Sequence, residues 1–194
     1  MTNLRAWIFR LLIIAGAGLM VYSFIIPWWG IWIWELGPEN VVEIYPYGLW
    51  LDYDTIGVYS HWVDNAPMPA YFAPLMWAYL GICIVALLFA LWKGNKEIKI
   101  TRFRFNLAKL IIGLVGFSYI FVAVLAVIVA AIRTGDYFDV HLIGYNEIKL
   151  GGFEQSGAEA NLLLGYWLSL GTGLFFMVMA LLRNKIIGKN KTIS

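Results

Sequence analysis

Four long apolar stretches alternate with shorter segments of mixed polarity along the chain. A bilayer core of about 30 Å requires roughly 20 apolar residues for each helical span, and four stretches meet that length: 7–27, 72–92, 107–132 and 162–182. The first run is longer than the apolar core of a signal peptide, and no small-residue cleavage site follows it. The pattern therefore predicts a membrane all-α four-helix bundle with a retained first helix, in one domain covering residues 1–194.

The predicted spans leave two long connections, residues 28–71 and 133–161, whereas connections in helix bundles usually have about 2–8 residues. The first connection is dense in tryptophan and tyrosine, which is not typical of disorder. Runs of β-forming residues separated by Gly, Pro and Asn predict short strands: 31–34, 41–45 and 47–51 in the first connection, and a hairpin of 137–143 and 147–150 around Gly144-Tyr145-Asn146 in the second. We expect both connections to build one small antiparallel β-sheet outside the membrane.

Composition narrows the class of protein further. Of the 194 residues, 61% are hydrophobic and 13% are charged, against roughly 45–50% and 25% in soluble domains, which excludes an ordinary water-soluble enzyme. A net charge of +2, with no pooled basic patch, excludes a nucleic-acid partner. Cys83 is the single cysteine, so packing and hydrogen bonding, rather than an intrachain disulfide, must shape the connections.

Charge is sorted along the chain in a way that predicts orientation. Twelve of the 14 Lys and Arg residues lie in the N-terminus, in the link 93–106 with the adjoining Lys109, and in the tail 183–194, whereas 11 of the 12 Asp and Glu residues lie in the two long connections. Because positive charge is retained on the cytoplasmic side, we expect a multi-pass protein of the plasma or cytoplasmic membrane, with cytoplasmic termini and outward connections. The basic link and tail also favour contact with anionic membrane lipid.

The predicted spans contain no ionisable residue near their middle. Such residues are costly in a bilayer and mark proton relays, ion pathways or haem ligands, so their absence argues against these functions for this chain alone. Small residues are present instead, and in membranes they let helices approach closely. We predict helix packing within the bundle, in preference to docking of another subunit, at seven positions: Gly16, Gly18, Gly113, Gly116, Gly165, Ser169 and Gly173.

One sequence pattern resembles that of a known family. Trp29 is followed after about twenty residues by Gly48-Leu49-Trp50; in this pattern, and in its four spans with a long first outer connection, the chain resembles the claudin and peripheral-myelin-protein group of tetraspan proteins. The two cysteines that follow Gly-Leu-Trp in that group are absent, and aromatic residues, Tyr53 and Trp62, stand near their positions. The resemblance implies a β-sheet ectodomain that makes lateral or cell–cell contacts; it does not imply a paracellular barrier. Because the cysteines are absent, aromatic packing would have to replace the disulfide in this chain.

Side chains of metal-ligand type are scattered through the two connections: Asp52, Asp54, His61, Asp64, Asp139 and His141. Carboxylates with an imidazole suit a hard or borderline metal, but these spacings match no established signature. We interpret the group as solvated acidic residues, with protein contact as the second interpretation. A metal-dependent enzyme using His61 and His141 is a third. The sequence has no nucleophile elbow, phosphate loop or dinucleotide fingerprint, and we predict no catalytic residue and no cofactor.

The predicted spans lack central ionisable residues, and the outer connections are long and rich in aromatic residues. Together these features favour a non-enzymatic tetraspan membrane protein. Its outer connections are expected to contact other membrane or cell-surface subunits, or further copies of itself. The alternative is a small scaffold subunit of a membrane oxidoreductase or transporter. The predicted contact residues are the aromatic and imidazole side chains of the connections: Trp32, Trp34, Tyr47, Trp50, Trp62, His141 and Tyr145.

Overall fold

The computed structural model describes residues 2–34, 40–51, 71–92, 97–100, 103–138, 141–148 and 156–187. These residues contain four helices: α1 (Thr2–Ile25), α2 (Phe72–Trp92), α3 (Leu107–Phe138) and α4 (Leu164–Ile187). They also contain seven strands: β1 (Trp29–Ile33), β2 (Asn40–Tyr45), β3 (Gly48–Leu51), β4 (Glu97–Ile100), β5 (Phe103–Asn106), β6 (Gly144–Ile148) and β7 (Ser156–Leu162).

All four helices are long and apolar enough to cross a membrane, which confirms the prediction of four helices able to span one. The segments that qualify are Leu4–Ile25, Phe72–Trp92, Leu107–Ile132 and Leu164–Ile187. Large apolar side chains are exposed along them, as at Leu11 (59%), Ile82 (68%) and Leu181 (66%). A helix that is apolar on its exposed face as well as its buried face is typical of a membrane span.

Five strands form one antiparallel sheet in the order β3-β2-β1-β7-β6. The central strand β1 pairs with β2 from the same connection and with β7 from the second one. The two long connections therefore contribute to a single small antiparallel sheet, as expected from the sequence. A β-bulge between Ile31 and Trp32 interrupts the register of β1 with β2.

The hairpin predicted around Gly144-Tyr145-Asn146 is wrong. Residues 137 and 138 end helix α3, and the strand that follows, β6, pairs with β7 instead. Gly144 has a φ of +101°, which glycine adopts without strain, and it begins β6 rather than forming a hairpin turn. Strand β7 has the sequence Ser-Gly-Ala-Glu-Ala-Asn-Leu, which contains no β-branched or aromatic residue, so pairing rather than propensity makes it a strand.

The chain divides into two compact units, and each helix supplies residues to both. The helical unit comprises Met1–Val21, Ala78–Phe121 and Ser169–Ser194. Its buried apolar residues recur at helical spacing, as in Phe9, Ile13 and Met20 of α1. This unit also contains a two-stranded hairpin, β4 with β5, within the link 93–106, for which the sequence predicted no element.

The sheet unit comprises Tyr22–Trp77 and Val122–Leu168. Its core lies on one face of the five-stranded sheet and consists of buried apolar residues from β1, β2 and β7: Trp29, Ile31, Ile33, Val41, Ala158 and Ala160. Alternate residues of a strand share a face, so this core leaves the residues between them on the opposite face of the sheet.

Candidate functional site

The buried face of the sheet determines which side chains lie on the opposite face. Trp29 is 3% exposed, and its indole Nε1–H donates a hydrogen bond to the Leu142 carbonyl oxygen at 2.5 Å. Opposite Trp29 in the register stand Ile44 of β2 and Leu162 of β7, both packed against the core. Because strand side chains alternate between faces, this anchoring determines the orientation of the neighbouring residues.

The opposite face of the sheet carries aromatic and acidic residues in neighbouring positions. Across β1, β7 and β6, the register aligns Trp32 with Glu159 and Glu159 with Tyr145. Across β2 and β3, it aligns Glu43 with Trp50. We call this surface the aromatic–acidic face, and it consists of Trp32, Trp34, Glu43, Trp50, Tyr145, Glu147 and Glu159.

Trp34 and Tyr145 are the most exposed aromatic residues of that face, at 57% and 55%. Their rings contact each other edge to face, with centroids 5.7 Å apart. Both rings lie over Gly157 of β7, where a Cβ atom would stand 3.3 Å from each of them. Gly157 therefore allows the pair to lie close against the sheet, and the pair presents its remaining surface outward.

A short turn before β6 positions Tyr145 and His141. The backbone N–H of His141 donates to Asn146 Oδ1 at 2.6 Å, and Asn146 Nδ2 donates to the carbonyl oxygens of His141 and Gly144, each at 3.1 Å. Asn146 is 4% exposed, so one buried amide closes the turn. The imidazole of His141 is exposed, as a contact residue requires.

Tyr47 has a different environment from the one predicted for a contact residue. Its ring stacks on Phe24 at 5.4 Å and packs against Trp77 at 5.1 Å, and Phe24 also contacts Trp77 at 5.0 Å between centroids. Three rings from α1, the β2–β3 turn and α2 thus form one cluster. Since Tyr47 is only partly exposed, its larger role in the structure is to brace the sheet unit.

Tyr45 adds a polar contact beside this cluster. Its hydroxyl donates to Glu43 Oε2 at 2.7 Å. Partial burial, followed by the hydrogen bond and the nearby charge of Glu43, raises the pKa of Tyr45 above its ordinary value; burial also raises the pKa of Tyr47. The neutral phenol is therefore the form that fits this site.

Comparison of the chain with protein-family models, with curated proteins and with solved structures finds no match.

The metal site considered from the sequence falls mainly outside the described residues. Asp52, Asp54, His61, Asp64 and Asp139 all lie there, as does the predicted contact residue Trp62. Within the part of the chain that the structure describes, no group of three or more His, Cys, Asp or Glu side chains could hold a metal ion.

Several of the predicted packing glycines lie where helices approach closely. A Cβ on Gly116 of α3 would stand 2.6 Å from the Gly173 carbonyl oxygen of α4, and one on Gly16 would stand 2.7 Å from the Phe175 ring. Gly113 is looser, with Ala180 at 3.5 Å. Ser169 is fully buried.

Gly18 differs from the prediction. It is exposed, and a Cβ at this position would have no atom within 4 Å. The reason is that Ile13, Gly16 and Met20 form the buried face of α1, and Gly18 does not lie on that face.

Gly165 makes a comparable close approach in the sheet unit. A Cβ at this position would stand 2.6 Å from the Pro27 carbonyl oxygen and 2.7 Å from the Trp28 ring. Trp28 is 3% exposed and is held by three hydrogen bonds: its indole donates to the Ser23 carbonyl at 2.6 Å, its backbone N–H donates to the Ile44 carbonyl, and its own carbonyl accepts from the Leu163 N–H, both at 2.8 Å. The start of α4 is thereby joined to the segment that follows α1.

An open apolar groove lies on the exposed side of α2, with a volume of about 540 Å³. It is lined by Ala78, Gly81, Ile82, Val85, Ala86, Phe89 and Ile111. The lining presents no polar surface, so it offers no group for catalysis or for orienting a polar ligand.

The geometry of the site depends on three further residues, and sequence reasoning missed two of them, Gly157 and Glu159. Gly157 accommodates the exposed ring pair, Asn146 closes the turn before β6, and Glu159 stands between two aromatic residues. The sequence analysis placed Asn146 in a hairpin turn, whereas the structure places it in β6, where its side chain closes the turn that precedes the strand. Gly157 and Glu159 lie in β7, and their roles follow only from the register of that strand.

Proposed function

We propose that this protein is a non-enzymatic multi-pass membrane protein whose sheet contacts other proteins through its aromatic–acidic face. The termini are cytoplasmic and the sheet lies on the outer side of the plasma or cytoplasmic membrane. The observation that carries the proposal is the Trp34–Tyr145 pair, two large rings more than half exposed on a sheet that has its own buried core. Exposed aromatic residues of this kind are enriched at protein interfaces.

The surrounding charge specifies the partner. Glu147 and Glu159 lie on β6 and β7 beside the ring pair, and Glu43 lies on β2 of the same face. An apolar patch bordered by carboxylates complements a surface that offers apolar groups bordered by Lys or Arg. The partner is therefore a protein with a basic rim. This favours another subunit of a membrane or surface complex over a further copy of this chain, whose own outer connections hold 11 of the 12 acidic residues.

Two sequence features support the orientation and the general type of protein. The separation of basic and acidic residues between the two sides of the predicted spans favours cytoplasmic termini. The claudin-like pattern remains a prediction; its Trp29 lies buried in the central strand β1, and its Gly48-Leu49-Trp50 forms part of the edge strand β3. Both positions belong to the sheet that we propose as the contact region.

Site-specific photocrosslinking in native membranes tests the contact. The photoreactive residue p-benzoylphenylalanine replaces Trp34 or Tyr145 in separate variants, and Trp167, an exposed tryptophan of α4 (58%), provides the matched control. We expect covalent protein adducts from positions 34 and 145 and none from position 167. Mass spectrometry of the adduct then identifies the partner. If irradiation captures no protein from either sheet position, the proposal is wrong.

Cysteine labelling tests the orientation independently. Native Cys83 is 4% exposed, so it gives little background. Ile143→Cys, at a 57% exposed site beside the sheet, should react with an impermeant maleimide on intact cells. Lys185→Cys, exposed near the end of α4, should react only after permeabilisation. The reverse pattern would place the sheet on the cytoplasmic side.

A further inference from the structure

The hairpin β4–β5 separates apolar and basic residues between its two faces. Its register pairs Ile98 with Phe105 and Ile100 with Phe103, and it pairs Lys99 with Arg104. Residues that are paired, or two apart along a strand, share a face. One face therefore has four apolar positions, and the other has Lys99 and Arg104 flanked by Glu97 and Asn106.

Two features of this hairpin are unfavourable in water. A two-stranded hairpin is marginally stable by itself in water, because a third strand, a helix or another surface must cover an apolar face to stabilise it. Like charges directly opposite each other, here Lys99 and Arg104, destabilise the strand pair further. Both effects are removed by a surface that covers the apolar positions and supplies anions near Lys99 and Arg104. Such a surface stabilises the strand pair and reduces the repulsion between the two cations.

The hairpin is joined directly to a helix that is long and apolar enough to span a membrane, so the membrane surface lies beside it. Strand β5 ends at Asn106, and the spanning segment of α3 begins at the next residue, Leu107. Asn106 Oδ1 accepts a hydrogen bond from the Lys109 backbone N–H at 3.3 Å, which caps the first turn of the helix and fixes the joint. A four-residue strand is only about 13 Å long, so all of β5 lies within that distance of the spanning segment.

The net positive charge of residues 93–109 favours anionic lipids. Residues 93–109 contain six Lys and Arg residues, whereas Glu97 is their single acidic residue. The Debye length at physiological salt is about 8 Å, comparable to the reach of the hairpin from the end of the span. Its cations therefore experience the charge of the lipid headgroups.

We propose that the β4–β5 hairpin is a membrane-surface element that binds anionic phospholipids. The face that carries Ile98, Ile100, Phe103 and Phe105 lies towards the apolar part of the interface, and the face that carries Lys99 and Arg104 lies at the level of the headgroup phosphates. This role depends on α2 and α3 spanning a membrane. It does not depend on whether the sheet contacts another protein.

The test uses the full-length protein in lipid nanodiscs, with a nitroxide spin label on Ile100→Cys in a Cys83→Ser background. In discs that contain phosphatidylglycerol, the label should be accessible to oxygen, which concentrates in the bilayer, and shielded from a water-soluble nickel chelate. In discs of phosphatidylcholine alone, the label should shift towards the nickel chelate. High salt should cause the same shift in the anionic discs, with no change to the hairpin sequence.

A matched pair of charge variants separates binding at the hairpin from general attraction. Each surface Lys or Arg contributes about fivefold to association with an anionic bilayer, so Lys99→Gln with Arg104→Gln should lower the docked-to-undocked ratio by about 25-fold. Lys185→Gln with Lys189→Gln removes the same charge and should leave the ratio unchanged. The proposal is overturned if both pairs act equally, if the label faces water in both lipids, or if inorganic phosphate with phosphatidylcholine discs reproduces the shielding.

Discussion

The helical unit and the sheet unit are held together by different kinds of contact. In the helical unit, two helix backbones approach each other closely at Gly116 and Gly173. In the sheet unit, large rings fill the interior: Trp28 and Trp29 are each 3% exposed, and Phe24, Tyr47 and Trp77 form a mutually contacting cluster.

The difference follows from the solvent in which each kind of contact is effective. Lipid chains are as apolar as the side chains they surround, so burial gives little driving force between membrane helices, and close approach of small residues provides dispersion contacts instead. Next to water, burying an aromatic side chain removes about 150–250 Å² of surface from solvent. Gly116 and Gly173 lie within segments that are long and apolar enough to span a membrane, whereas Trp28 and Trp29 lie outside such segments.

The largest effect is expected from emptying the sheet core. Trp29→Ala should lower the free energy of unfolding by about 3–5 kcal/mol, as for other buried Trp-to-Ala changes, and it also removes the hydrogen bond to Leu142. Trp34→Ala, at a 57% exposed site, should cost less than about 1 kcal/mol. Denaturation in detergent followed by near-ultraviolet circular dichroism measures both. Equal losses would mean that the sheet has no distinct core.

The next largest effect is expected where two helix backbones meet. Gly116→Ala places a methyl group against the Gly173 carbonyl, and such overpacking costs about 1–3 kcal/mol. Gly113→Ala on the same helix makes ordinary contact with Ala180 at 3.5 Å and serves as the control. Loss of helical signal on heating in detergent measures the two variants. If both retain wild-type stability, backbone approach does not determine packing in the helical unit.

A smaller effect is expected from a hydrogen bond between α2 and α3. Ser118 Oγ donates to the Val115 carbonyl and also shares a hydrogen bond with the Tyr79 hydroxyl, 3.0 Å away. Tyr79→Phe should cost about 0.6 kcal/mol, the average for interhelical hydrogen bonds in membranes. Tyr22→Phe, at an exposed tyrosine of α1 (48%), is the control. A double-mutant cycle with Ser118→Ala should show coupling, and additive losses would exclude this hydrogen bond.

The smallest effect is the pH dependence of the sheet unit. The pKa of Tyr45 is raised in the folded protein by burial and by its hydrogen bond to Glu43. As pH rises past about 10, the ordinary tyrosine pKa, the unfolded chain loses this proton first and the folded state becomes less favourable. The contribution of Tyr45 to stability should therefore be constant below that pH and fall above it. Tyr45→Phe should weaken the fall, as measured by denaturation across alkaline pH; an unchanged slope would contradict this origin.

The sequence predicted those elements whose own residues favour the observed secondary structure. Apolar length alone identifies the four spanning helices, and the β-forming residues around Ile31, Val42 and Leu49 identify β1 to β3. Strand β7 lacks such residues and depends on pairing with β1 and β6. The aromatic–acidic face was only partly foreseen: Trp34 and Tyr145 were predicted as contact residues, whereas Glu159 and Gly157 join them through that undetected register.

The pairing of β1 with β7 has a consequence for the order of biosynthesis. Trp29 and Leu162 are partners in the central ladder, although more than a hundred residues and two spanning helices separate them along the chain. At a translation rate of about 5–20 residues per second, β1 waits roughly 6–26 s for β7 to be synthesised. During that interval β1 has only β2 as a neighbouring strand, and synthesis of β7 supplies the partner for its second edge.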